Sequence, residues 1–145
     1  MEFSKEYTEL GENIVKKLRD ENFEYYIENR EFGNSMTEKE YSELTKNPNL
    51  DSELQKLTDE RFEFFNQLSE KQTEVLNRIV LNILDITAFN FLREIEEKLN
   101  TDNSLGLTIN GVKVEKITSE LLSGTFFGEY FLWTKEKSKF GEFQQ

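Results

Sequence analysis

The stretch from about Ser69 to Leu99 constrains this chain more than any other, because only there do apolar residues cover most of a helix circumference. At about 100° per residue, Val75, Leu76, Ile79, Val80, Leu81, Ile83, Leu84, Ile86, Ala88, Phe91, Leu92 and Ile95 fill roughly three quarters of the projection. The remainder is a narrow polar stripe of Arg78, Asn82, Asp85, Arg93 and Glu96, with Phe89 lying among them. A helix apolar on so many sides must be wrapped by other elements, and Asn77, Arg78, Asn82 and Asp85 interrupt it too often for a bilayer span. The expectation is a central core helix over about 69–99. Its polar stripe is expected to face solvent; the sharper reading is a buried polar network, or a face covered by a second copy of the chain.

Before this helix, Tyr7, Leu10, Ile14 and Leu18 recur at helical spacing from Ser4 to about Arg19. Residues 20–32 carry both a helical pattern (Phe23, Tyr26, Ile27) and an alternating one (Phe23, Tyr25, Ile27), and helix is preferred. Asp20 is a candidate cap for that helix, and Gly33 a candidate left-handed residue ending it. Thr37 and Glu40 have the spacing of a capping box, as do Ser69 and Gln72. Thr37 opens a short helix to about Lys46, which Pro48 breaks, and an amphipathic helix follows from Asp51 with Leu54, Leu57, Phe64 or Phe65 and Leu68 inward.

After Asn100 the period changes. Asn110-Gly111 lies between two alternating runs, a strong hairpin signal because both residues tolerate positive φ. That register sets Ile109 opposite Val112 and Leu107 opposite Val114, on a face that must dock on the helices or on a partner. Helical spacing returns from Thr118 towards the aromatic cluster Phe127, Tyr130, Phe131 and Trp133, and residues through Phe143 and Gln145 are expected to be loosely held. The fold class is therefore mainly α (α+β): one domain over 1–145, a helical bundle around the helix at about 69–99, with a β-hairpin at about 106–116 before a C-terminal helix.

Chemistry is limited by what is missing. With no His and no Cys, the usual general base, the commonest transition-metal ligand and thiolate chemistry are all absent. No calcium-loop spacing and no glycine-rich phosphate loop is present, so no catalytic residue, metal ligand or cofactor is assigned and the chain is read as a non-enzyme. The net charge of -11 argues against direct nucleic-acid binding and for a basic partner. Acidity is concentrated in residues 1–70, which hold 18 acidic and 9 basic side chains. Aromatic content of 13% separates the chain from disordered acidic sequences.

The candidate partner-binding residues are Glu21, Glu24, Tyr25, Tyr26, Glu28 and Glu31, where carboxylates speed encounter with a basic surface and tyrosines hold it. Phe89, Tyr130 and Trp133 form a second candidate interface. The expected function is a cytoplasmic, non-catalytic acidic binding protein with no membrane contact. Its concrete version is an inhibitor or immunity protein that neutralises a cationic toxin such as a nuclease. The alternatives are a self-associating structural or assembly subunit, a homodimer through Phe89 and the apolar side of the hairpin, and a carboxylate- or metal-dependent enzyme.

Overall fold

A computed structural model describes residues 2–101, 105–114 and 118–142. The elements run α1 (Lys5–Val15), a π-helical turn (Lys16–Asp20), α2 (Glu21–Asn34), α3 (Glu38–Ser42), α4 (Ser52–Gln67), α5 (Glu70–Thr101), β1 (Thr108–Ile109), β2 (Val112–Lys113), a 3-10 turn (Thr118–Glu120) and α6 (Phe126–Lys137). The fold is mainly α with one small antiparallel hairpin before the last helix, and residues 20–32 are helical. The expected tail at 143–145 lies outside the described residues, as do 102–104 of the loop after α5 and 115–116 at the end of the hairpin range. The chain groups into two compact units: Met1–Phe23 with Arg78–Gln145, and Glu24–Asn77.

The first unit is built where α1 meets α6. Its core holds Tyr7, Val15, Ala88, Leu92, Val114, Leu121, Phe126, Tyr130 and Trp133. The two helices approach closely because position 11 has no side chain: a Cβ there would stand 2.6 Å from the Trp133 ring. At the start of α6, Thr125 accepts from the Gly128 N–H (3.1 Å), and Glu96 accepts the Phe126 N–H (2.8 Å). Ser4 opens α1 and is itself held by Glu120, to which it donates from its backbone N–H (2.6 Å).

In this unit α5 departs from the expectation in part: Arg78, Asn82 and Arg93 face solvent as expected, but Asp85 is buried and several of the isoleucines are not. Its inward arc carries Asp85, Ala88 and Leu92, while Ile79, Ile83 and Ile86 point to solvent, Ile83 at 57% exposure. The helix is not wrapped, and its polar stripe is not wholly a solvent face. The reason lies in what α1 brings: Arg19 is fully buried and requires a carboxylate, which Asp85 supplies. With apolar residues on most of the circumference, burying Asp85 still leaves Leu81, Ala88 and Leu92 on nearly the same arc.

The hairpin forms in the expected register, with Thr108 opposite Lys113 and Ile109 opposite Val112. Asn110 (φ 50°) and Gly111 (φ 78°) take the two left-handed turn positions. Val114 is buried, and Leu107 and Val112 pack on the helical core, so the ribbon docks within its own unit.

The second unit stacks aromatic rings between α2, α3 and α4. Tyr41 lies parallel to Phe62 at 3.9 Å between centroids, and Phe32 meets both edge-on. Gly33 is helical and not a left-handed cap; a Cβ there would meet Phe65 Cβ at 2.3 Å, so its part is to let α2 and α4 approach. The capping box at Thr37 and Glu40 is present (2.7 and 3.2 Å), as is that at Ser69 and Gln72 (2.8 and 3.1 Å). Asp51 caps α4, whose Phe62 and Phe65 turn inward while Leu54, Leu57 and Phe64 stay exposed. Burial, and then the Asp59 carboxylate to which it donates, pushes the Tyr41 phenol up to about 12.

Candidate functional site

A π-helical turn winds with an extra residue, and at Lys16–Asp20 it brings two neighbours, Arg19 and Asp20, into the interior of the first unit. Arg19 Nε donates to Asp85 Oδ1 at 2.8 Å, and the Tyr130 hydroxyl donates to the same oxygen at 2.6 Å. Arg19 Nη1 donates to Ser138 Oγ (2.6 Å), which in turn donates to Asp20 Oδ1 (2.6 Å), while the Lys139 N–H reaches Asp20 Oδ2 (2.9 Å). Asp20 therefore does not cap α2; it anchors the end of α6. Burial first, and then the Asp85 carboxylate, drives the Tyr130 phenol far above its ordinary range. The nearby Thr134 hydroxyl opposes that rise, while its Oγ1 makes no hydrogen bond.

Over this network lies a cleft of about 520 Å3 lined by Asn82, Asp85, Ile86, Phe89, Phe131, Thr134 and Glu142. Asp85 and Thr134 form its buried floor, and Asn82, Ile86, Phe131 and Glu142 its exposed mouth. The Phe89 and Phe131 rings stand 6.0 Å apart, tilted by 40°. Among the described residues no group of three or more carboxylates converges in a way that could hold a metal ion. The cleft combines carboxylate acceptors (Asp85, Glu142), groups that both donate and accept (Asn82, Thr134) and aromatic rings.

A third buried carboxylate, Glu129, accepts from the Tyr7 hydroxyl, from the Ser123 N–H (3.0 Å) and from Ser123 Oγ (2.8 Å). Burial works against its charge, but these donors prevail and hold the carboxyl below its usual range.

The expected partner-binding residues divide between the units. Glu21 lies in the first, paired with Lys17 (2.8 Å), an exposed contact that lowers its pKa. In the second, Glu24, Glu28 and Glu31 recur along one side of α2, and Tyr25 stands beside them at 63% exposure. Tyr26 turns the other way: its hydroxyl donates to Asn77 Oδ1 (2.7 Å), which also accepts from Arg30 (2.8 Å). It is a fastening within the second unit, not a free anchor.

The second candidate interface needs correction. Tyr130 and Trp133 have no exposed surface, and Phe89 is half-buried against Phe127 and Phe131, so the outward rings and side chains of α6 are Phe131 and Leu132. Helix α6 turns Phe126, Tyr130 and Trp133 into the core at spacings of four and three, which leaves the intervening positions outside.

No protein-family model, curated protein or solved structure matches this chain. The polar interruptions expected to rule out a bilayer span do not do so: by length and composition alone Glu70–Leu99 is long and apolar enough to cross a membrane, with a mean hydropathy of 1.4 in an 18-residue window that is 17% buried.

Sequence reasoning missed Arg19, the cation at the centre of the polar network. A signal was there: Tyr7, Gly11, Val15 and Arg19 are spaced four apart, which sets Arg19 on the buried face of α1. A guanidinium on such a face needs a carboxylate from another helix.

Proposed function

We propose that this chain is a soluble, cytoplasmic, non-catalytic binding protein whose acidic N-terminal half engages a basic protein. The observation that carries the reading is Tyr25, exposed at 63% on the same helix as Glu28 and Glu31. Neither glutamate has an ion-pair partner among the described residues. Uncompensated carboxylates accelerate encounter with a cationic surface, and an exposed phenol supplies the buried anchor that charge alone does not. An inhibitor or immunity protein acting on a cationic toxin such as a nuclease is the concrete form: the carboxylates occupy the basic groove and Tyr25 fills a pocket beside it.

The test is capture from a lysate of the source organism with tagged protein, washed at low and then high salt. One basic protein should be retained at low salt, released at high salt, and lost from both Glu28→Lys and Tyr25→Ala. Retention of that protein by both variants would sink the proposal.

A second reading, a self-associating subunit, is supported by the exposed arc of Ile79, Ile83 and Ile86 on α5. It predicts a homodimer that persists at high salt and dissociates in Ile79→Ser/Ile86→Ser. A monomer at all concentrations that floats with lipid vesicles would replace it with a membrane-surface role.

A further inference from the structure

We propose that the cleft of the first unit is a binding site for a primary alkylammonium group carried on a small apolar or aromatic body. Three independent features of its lining point to that chemistry. The floor offers acceptors that nothing else uses: both the Arg19 and Tyr130 bonds fall on Asp85 Oδ1, which leaves Oδ2 without a partner among the described residues. Beside it, Thr134 is 2% exposed and its Oγ1 has no hydrogen-bond partner. A buried hydroxyl in that position costs stability unless something fills the space and bonds to it.

The second feature is the sign of the charge. Among the described residues the cleft is lined by two carboxylates, Asp85 and Glu142, and by no Lys or Arg. Arg19 already balances Asp85 from behind, so Glu142 at the mouth gives the cleft a net negative charge that repels anions and favours one added cation. The third is the walls. Phe89 and Phe131, their ring centroids 6.0 Å apart, line the cleft next to Ile86, a setting in which an ammonium is attracted to the aromatic rings while its carbon body covers apolar surface. A neutral apolar ligand would leave Thr134 and Asp85 Oδ2 unpaired, and a carboxylate would face Asp85 and Glu142.

An alkylammonium is presented equally by a free amine and by a lysine side chain, so the experiment uses both. Titration calorimetry of the full chain near pH 7 is run with 2-phenylethylamine, with N-acetyl-lysine methylamide, and with the neutral 2-phenylethanol and anionic 3-phenylpropanoate as controls. The expected result is saturable one-to-one binding of at least one amine, about tenfold or more tighter than the alcohol, with no binding of the acid. Tighter binding of phenylethylamine marks a free amine as the source, and tighter binding of the lysine derivative marks a peptide side chain.

Phe131→Ala and Glu142→Gln alter exposed residues and should keep the wild-type unfolding midpoint while weakening amine binding several-fold. Thr134→Val keeps the shape and should weaken it too. Equal affinity for amine and alcohol, no binding of either amine up to about 10 mM, or unchanged binding in both Phe131→Ala and Glu142→Gln would overturn the proposal. Tyr25→Ala should bind the amines as wild type does, which separates this site from the acidic face of α2.

Discussion

Single side chains settle several features of the first unit. Gly11 lies flat against Trp133, and Gly11→Ala sets helix propensity against a clash. The gain from alanine in a helix is about 1 kcal/mol, whereas forcing a methyl to 2.6 Å from a fully buried indole costs about 1–3 kcal/mol. The clash wins, so urea unfolding followed by Trp133 fluorescence should show a net loss of stability. Tyr130→Phe keeps the ring and removes one of two donors to Asp85, which should cost about 1–2 kcal/mol in the same assay. Glu129 gives a pH signature. Its folded-state pKa is depressed, so its contribution to stability is present above the unfolded pKa and is lost as pH falls through the folded one. The stability difference between wild type and Glu129→Gln should therefore be constant near neutrality and narrow as pH drops below the ordinary value of 4.5.

At the scale of elements, local chemistry was legible wherever a short motif determines its own geometry. The capping boxes at Thr37 and Ser69 and the Asn110-Gly111 turn form as their spacing requires, because each is closed by bonds within a few residues, whereas the single-residue caps expected at Asp20 and Gly33 do not form because tertiary partners claim those positions. Gly111→Ala tests the last of these: at φ 78° an added Cβ should cost about 1 kcal/mol and loosen the ribbon, read as faster hydrogen exchange at the Val114 amide. Long-range pairing was not legible. Helix α5 offers several apolar arcs, and periodicity ranks them almost equally; the arc that faces inward is selected by Arg19, 66 positions away in sequence. The π-helical turn that brings Arg19 and Asp20 inward together has no sequence signature comparable to a cap. Part of the acidic stripe on α2 was readable from spacing, but whether a given tyrosine faces out depended on Asn77, a distant partner of Tyr26.

For the whole molecule, the reading of one domain makes a definite demand on cooperativity. The single tryptophan, Trp133, lies in the first unit, so its fluorescence follows that unit, while far-UV circular dichroism follows the helices of both. Coincident unfolding curves are the result expected of one cooperative domain; a dichroism transition that precedes or follows the fluorescence change would divide the chain into two. The net charge of -11 belongs to this scale as well, since it favours cationic partners for either proposed surface and makes both associations sensitive to salt. Both the cleft and the exposed isoleucines depend on one claim, that α5 turns Asp85 inward and Ile83 outward. The most direct measurement of it compares the unfolding free energies of Ile83→Asp and Asp85→Ala in urea, at concentrations where the protein is monomeric. The account predicts that Ile83→Asp stays within about 0.5 kcal/mol of wild type, as an exposed substitution does, while Asp85→Ala loses about 3–5 kcal/mol by leaving Arg19 buried and unpaired. The reverse order, a charge at position 83 that unfolds the protein and an alanine at 85 that is tolerated, would contradict it.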